Sequence, residues 1–260
     1  MTGRLPRWLG ASVALVYLFR HLPLLVLMAF SFNASRFSVE WTGFTLEWYR
    51  QLLERPDILA GLRVSLVVGA ISTVVATALG TLLALALARG RFRGRGALES
   101  LLYVPLVTPE IVAGISLLVL FAGLKIALGL TTIVIAHVAF SVSFVTVVVL
   151  ARLAGMDRSQ EEAALILGAD EWTTFFRVTL PQLLPGVVSG ALLAFTLSFD
   201  DYVITSFVAG SGTSTLPVVV YGMVRRNIDP TINAISTLVL VFTTLLIWLA
   251  DRAGRERFAR

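Results

Sequence analysis

An all-α membrane fold, with six transmembrane helices and both termini cytoplasmic, is what the sequence predicts, and three observations carry it. The 260-residue chain is 57% hydrophobic and 14% charged, with a mean hydropathy of +0.87. A soluble domain carries roughly 25% charge, so too few polar side chains are present to cover a soluble surface. Six mostly apolar stretches reach the length of about 20 residues that a spanning helix needs. The basic residues fall unevenly on alternate sides of those stretches, which gives them an orientation.

The stretches run roughly over 9–32, 60–88, 100–123, 131–152, 183–209 and 234–251, as hydrophobic runs with flanking charge. The first is too long for a signal-peptide core of about 7–15 apolar residues, and no small-x-small cleavage site follows it. It is expected to be an uncleaved span. Arg20-His21 interrupts it near the middle, ahead of Pro23. A cation there costs at least a few kcal/mol unless it snorkels or faces protein, so a partner helix or a lipid headgroup is expected beside it, with a functional role as the alternative. In the third stretch Pro105 and Pro109 predict kinks. In the fifth, Gly186-x3-Gly190 forms a small-residue face suited to close helix approach.

One side of the membrane collects Arg4, Arg7, Arg89, Arg91, Arg93, Arg95, Arg152, Arg158, Arg177, Arg252, Arg255, Arg257 and Arg260. The other collects Arg36, Arg50, Arg55, Arg63, Lys125, Arg225 and Arg226. The excess of 13 over 7 marks the first side as cytoplasmic, and an even number of spans then returns both termini to it.

Several chemistries are excluded early. There is no cysteine, hence no disulfide, thiolate metal site or iron–sulfur cluster. Lys125 is the one lysine and is followed by Ile126. A phosphate-cradling Gly-Lys-Ser/Thr loop is therefore absent, and the chain does not hold ATP in that way. A pI near 10.2 would suggest nucleic acid in a soluble protein. Here the arginines flank apolar segments, so topology and anionic membrane lipid explain them without nucleic acid. His137 and Ser141 stand four apart and imitate a nucleophile–base pair, but no acid near in sequence orients His137. Helix packing is the expected role.

Three polar stretches separate the spans. The external loop 33–57 carries Trp41, Trp48 and Tyr49, which suit an interfacial anchor. The external loop 210–233 holds Gly210, Gly212, Pro217 and Pro230, with an amphipathic stretch between the prolines. The cytoplasmic loop 153–182 is the longest insertion on its side. In it, Ser159 to Leu167 is expected to form a short helix with Ser159 as N-cap, Glu161 and Glu162 at its positive end, and Gly168 as its stop. Asp170 is expected to cap a second helix bearing Trp172, Phe175 and Phe176, which Leu180-Pro181 ends. Such a helix–turn–helix is either a docking surface or an amphipathic cover on the membrane. No internal repeat or low-complexity linker divides the chain, so residues 1–260 are expected to be one transmembrane domain, with core spans over about 60–251 and the loop at about 153–182.

The same loop reads Glu162-Ala163-Ala164, three residues, Gly168, nine residues, then Val178-Thr179-Leu180-Pro181. It resembles the EAA loop of binding-protein-dependent ABC importer permeases, with Val178 in place of the family's isoleucine. The segments Ser31-Phe32-Asn33-Ala34-Ser35-Arg36-Phe37, Trp41-Thr42-Gly43-Phe44-Thr45, Trp48-Tyr49, Arg91-Phe92-Arg93-Gly94 and Phe195 to Asp201 extend the likeness. So do Leu216-Pro217 to Tyr221, Met223-Val224, Pro230 and Asn233-Ala234. Together they are similar to the second permease subunit of spermidine/putrescine importers (PotC-type); Arg20-His21 departs from that pattern.

The resemblance implies a type I ABC importer permease architecture in the bacterial cytoplasmic (inner) membrane, with no catalytic centre in the chain. It implies separate ATPase subunits, which carry the ATP and Mg while this chain binds no cofactor. It also implies a sister permease and an external solute-binding protein. Glu162, Ala163, Ala164 and Gly168, with Leu180 and Pro181, would dock the ATPase. Arg225 and Arg226 in the last external loop are weak candidates for meeting the binding protein.

Carboxylates within spans are expensive and mark a pathway or a partner. Glu110 and Asp200-Asp201 are the candidates here. On a continuous helix Asp201 would share a stripe with Ser198 and Thr205, a small polar wall for an aqueous route. For a polyamine cargo these acids would offset ammonium desolvation, and Tyr202 would add cation–π contact. The alternatives are pairing with arginines of this or the sister subunit, or a place for Asp200-Asp201 in the outer headgroup region. A proton-coupled secondary transporter using the three acids, or a related importer for another organic cation or small solute, are the competing functions; the first leaves the EAA loop unexplained.

Overall fold

The computed structural model describes residues 7–36, 40–226 and 230–258; Arg4, Phe37 and Arg260 lie outside the described residues, as do the side chains of Arg7, Arg252, Arg255 and Arg257. Among the described residues the regular structure is helical. The helices are α1 (Arg7–Phe30), α2 (Glu47–Leu53), α3 (Pro56–Arg89), α4 (Arg95–Val107), α5 (Glu110–Gly123), α6 (Leu130–Ala154), α7 (Ser159–Ile166) and α8 (Glu171–Thr174). A π-helical turn (Phe175–Thr179) leads into α9 (Leu180–Asp200), followed by α10 (Val203–Val208), α11 (Leu216–Arg226) and α12 (Thr231–Phe258).

Among the described residues four helices are long and apolar enough to cross a membrane: Trp8–Phe30, Pro56–Arg89, Leu130–Ala154 and the continuous run Glu171–Asp200. The pair α4–α5 adds a fifth if it is one broken span. The sixth expected segment falls within α12, of which Thr231–Leu245 is apolar helix among the described residues.

The chain falls into two compact units, Met1–Leu59 with Val220–Leu245, and Ala60–Val219 with Leu246–Arg260. In the first unit a short connection is organised by one buried amide. Asn33 Oδ1 accepts from the Thr42 N–H at 3.0 Å, its Nδ2 donates to the Glu40 carbonyl at 2.7 Å, and its carbonyl accepts from Trp48 Nε1 at 2.7 Å. The Tyr49 and Ser31 hydroxyls meet at 2.6 Å. Trp48 and Tyr49, expected as interfacial anchors, thus have their polar atoms bonded within the unit, and Trp41 alone of the three is well exposed. An exposed ion-paired turn follows: Glu47 accepts from Arg50 at 2.6 Å, which lowers its pKa to about 2.

The second unit is built around α6. Its buried face, including Ile133, Ala136, Val145 and Val149, packs against α3, α9 and α10. Close approach depends on glycine: a Cβ at Gly80 would lie 2.8 Å from Val145, and one at Gly186 would lie 2.6 Å from the Arg152 Cβ. Gly190 faces Val145 as well, so the Gly186-x3-Gly190 face does bring α9 onto α6. Much of the remaining apolar surface, such as Val74, Leu82, Ile111 and Val119, is exposed, as hydrocarbon-facing helices require.

Four local expectations are corrected. The third stretch bends at one of its two prolines and not the other: α4 and α5 meet at 112° beside Pro109, while Pro105 lies inside α4. Thr108 is held extended (ψ 130°) because the residue before a proline avoids the helical region. The fifth stretch begins earlier, at Leu180, and breaks at Asp201 (ψ 121°) rather than running on to 209. Leu180-Pro181 ends no helix: the wide turn Phe175–Thr179, in which the Leu180 N–H donates to the Phe175 carbonyl, shifts the bonding pattern just before the proline and carries the chain from α8 into α9. Finally, Ser159 is not the N-cap of α7. Asp157 accepts from the Ser159 N–H at 2.9 Å and from its hydroxyl at 2.8 Å, and the longer carboxylate reaches where the serine would have to fold back on itself.

Candidate functional site

The loop 153–182 forms two short helices, α7 and α8, joined by a tight reversal. Gly168 has φ +91° and sits just past the end of α7. Its N–H donates to the Leu165 carbonyl at 3.0 Å, and the Ala169 N–H donates to Ala164 at 3.0 Å. These are the paired bonds of a Schellman stop, which favours glycine. Asp170 then accepts from the Thr173 N–H at 2.7 Å as the cap of α8. Those bonds hold the carboxyls of Asp157 and Asp170 below the ordinary aspartate range.

A side chain the sequence reading did not single out fixes this loop to the spans. Glu161 accepts from Arg89, at the end of α3, and from the Thr179 hydroxyl at 2.7 Å in the π turn. Arg158 also donates to the Ala88 carbonyl at 3.2 Å. Glu161 is half-buried, whereas the neighbouring Glu162 and Ala163 are exposed. One glutamate therefore points inward to hold the helix and the next points outward. Ile166 at 86%, Leu167 at 88% and Trp172 at 72% exposure lie beside Glu162. An exposed apolar rim around a rigid polar helix is what a docking knob presents. Ala164 and Leu180 are half-buried, while Gly168 and Pro181 are exposed. The Glu161 role was legible only as a second acid in the first turn; Arg89 lies 72 residues away.

The intramembrane acids do not form one cluster. Glu110 is exposed in the first turn of α5, and no hydrogen bond or ion pair joins it to either aspartate among the described residues. Asp200 is exposed at the end of α9. Asp201 is drawn in: its carboxylate accepts from the N–H groups of Ile204 at 3.2 Å and Thr205 at 2.8 Å, and from the Thr205 hydroxyl at 2.7 Å. The expected stripe of Ser198, Asp201 and Thr205 is thus not a continuous helical wall. Asp201 leaves the helix and binds the first turn of α10. Tyr202, half-buried, occupies the break itself.

The acid that His137 lacks in nearby sequence is supplied by the fold. His137 is fully buried, with Nδ1 at 2.7 Å from Ser198 Oγ, Nε2 at 2.9 Å from Thr205 Oγ1 and Nε2 at 3.3 Å from Asp201 Oδ2. The Ser141 hydroxyl has no hydrogen-bond partner among the described residues, so the apparent nucleophile–base pair does not exist. Packing was the expected role of His137, and the observed one is a buried polar junction. A second feature absent from the expectations is a groove of about 550 Å³ between α3 and α9, where Thr73, Thr77 and Thr81 line up at helical spacing opposite Phe175, Leu180 and Val187. Arg225 stacks 5.5 Å above Tyr221 and Arg226 donates to the Gly222 carbonyl, both exposed in the last turn of α11. Arg20 and His21 are exposed along α1, and His21 bonds the Tyr17 carbonyl at 2.7 Å.

Residues 76–256 match the family described as binding-protein-dependent transport system inner membrane component. The chain belongs to that family. It is 42% identical to the putrescine transport system permease protein PotI of Escherichia coli (strain K12), over 96% of this chain and 93% of that one. It is 39% identical to the spermidine/putrescine transport system permease protein PotC of the same strain, over 99% and 97%. In fold it resembles a chain of a bacterial ABC transporter involved in the import of the acidic polysaccharide alginate, with a TM-score of 0.74 at 15% identity over 96% of each chain. This permease therefore shares its fold with a chain of that transporter.

Proposed function

We propose that this permease is the transmembrane subunit of an ATP-driven polyamine importer, forming with a sister permease the translocation pathway for spermidine or putrescine delivered by an external binding protein. The observation that carries the reading is the α7 helix: Glu162 and Ala163 are exposed on a short rigid element, and Glu161 ties that element to α3 and to the turn feeding α9. A separate ATPase, holding the ATP and Mg, would seat Glu162, Ala163, Ala164 and Gly168 in a cleft, with Leu180 and Pro181 behind them. Movement of that cleft would pass into the spanning helices. The whole chain acts as one permease domain of six spans in the bacterial inner membrane, with α12 as the sixth span and both termini on the side of the α7 loop.

The cargo reading is supported by the names of the relatives at 39–42% identity and by the carboxylates near the α9–α10 break. Asp200, exposed at that break, and Glu110, exposed apart from it in the first turn of α5, each suit ammonium groups shedding water. Tyr202 supplies a ring next in sequence to the aspartates. Arg225 and Arg226 would meet the binding protein on the opposite side from α7.

The test is uptake of labelled spermidine and putrescine into proteoliposomes holding this chain, its sister permease and the ATPase, with the binding protein outside. Uptake that needs internal ATP and is lost with Glu162→Lys supports the reading. ATP-driven complexes that ignore both polyamines would remove the cargo assignment, and uptake driven by a proton gradient without ATP would remove the importer.

A further inference from the structure

Asp200 and Asp201 are neighbours in sequence and opposites in environment. Asp200 ends α9 with its side chain exposed, and no hydrogen bond or ion pair engages it among the described residues. The Asp201 side chain is 6% exposed and meets His137 on one side and the first turn of α10 on the other. His137 in turn bonds Ser198 of α9 and Thr205 of α10 while standing on α6. One imidazole therefore touches all three helices where the chain changes direction.

The protons can be followed. The Thr205 hydroxyl has one hydrogen, which it donates to Asp201. Its oxygen must then accept from His137, so Nε2 carries a hydrogen. Nδ1 either accepts the Ser198 hydroxyl hydrogen or donates to that oxygen. In both arrangements each ring nitrogen is occupied by protein, and the ring has no face toward solvent. His137 has nothing left with which to bind a cargo.

We infer that His137 is a positioning residue for cargo passage: through Asp201 it fixes the angle at which α10 departs from α9, and so where Asp200 and Tyr202 stand. The inference rests on the transport function proposed above. Removing the imidazole leaves the Asp201 carboxylate and two hydroxyls short of a partner in a buried site, which is costly in proportion to their desolvation. Removing Asp201 frees the first turn of α10 and leaves the imidazole without its acid. The two residues act on one geometry, so their losses do not multiply.

The experiment measures steady-state spermidine uptake by the reconstituted importer with its binding protein, for His137→Phe, His137→Gln, Asp201→Asn, the His137→Gln/Asp201→Asn pair and Asp200→Asn. The His137→Phe and Asp201→Asn variants are expected to lower the maximal rate by about fivefold or more, with KM changed by less than about twofold. The paired variant is expected to be no slower than the slower of its two parents. His137→Gln, whose amide can still donate toward Thr205, is expected to retain more rate than His137→Phe. Asp200→Asn is expected to act chiefly on KM. Unchanged uptake in the His137 variants, a KM rise in them equal to that of Asp200→Asn, or multiplying losses in the pair would overturn the inference. The unfolding temperature of the purified complexes gives a reading independent of cargo: His137 and Asp201 losses are expected to be non-additive there, and additivity would overturn their coupling. If the unaltered complex moves no polyamine, the cargo assignment fails by itself, and the unfolding series still decides whether the two residues are one unit.

Discussion

Gly186 shows how a single missing side chain decides a contact. A Cβ there would lie 2.6 Å from the Arg152 Cβ and 2.7 Å from its Cγ, and Arg152 is held in place by a 2.9 Å bond to the Gln182 carbonyl. Gly186→Val is therefore expected to push α9 from α6 and to destabilise the complex by about 1–3 kcal/mol, read as a lowered unfolding temperature in detergent. The Gly-x3-Gly spacing made this contact face legible in the sequence, because small residues four apart always share a helix side. The role of His137 was not legible. Its partners Ser198, Asp201 and Thr205 lie more than sixty positions away, and two of them share a junction only because the helix stops at Asp201. Spacing arguments assume an unbroken helix, and here the break is the site.

Among the elements, α7 divides its labour between adjacent glutamates. Glu161 is the inward clasp to Arg89 and Thr179, and Glu162 is the outward face. Glu161→Ala is expected to leave the ATPase bound but loosely coupled, so that ATP hydrolysis persists while uptake falls by roughly tenfold, the effect of about 1.4 kcal/mol on a rate. Parallel assays of phosphate release and cargo uptake check this; equal loss of both would point instead to a docking role for Glu161. The EAA pattern exposed the loop and its stop at Gly168, since a left-handed glycine and a following capping aspartate are written in single letters. Where α8 ends was misjudged because Pro181 reads locally as a breaker. Only the π turn before it shows how the helix passes the proline without stopping.

For the molecule as a whole, hydropathy located the four long apolar helices and the α4–α5 pair, whereas the arginine bias alone orients them. The chain contains no cysteine, so topology can be tested without background. Gln160→Cys in α7 and Ser211→Cys beyond α10 are both at exposed positions. In intact cells a membrane-impermeant maleimide is expected to label Ser211→Cys, and to reach Gln160→Cys only after the membrane is opened. The reverse pattern would invert the protein in the membrane. What hydropathy does not reveal is that the third and fifth stretches are each broken next to an acidic residue, at Pro109 before Glu110 and at Asp201 after Asp200. Interruption of the helix and placement of charge coincide, since freed backbone groups and carboxylates are tolerated at membrane depth only where protein or water can answer them.

The run from Glu171 to Asp200 is one unbroken rod of 30 residues, about 45 Å long at 1.5 Å per residue. The glycine seat at Gly186 against Arg152 lies near its midpoint, with arms of about 22 Å on either side. On the proposed coupling, a helix turning as one body about that seat would return a tilt at Trp172 as an equal and opposite displacement at Asp200. Lengthening one arm by a helical turn would change the stroke delivered to the aspartates without altering a single residue at either end.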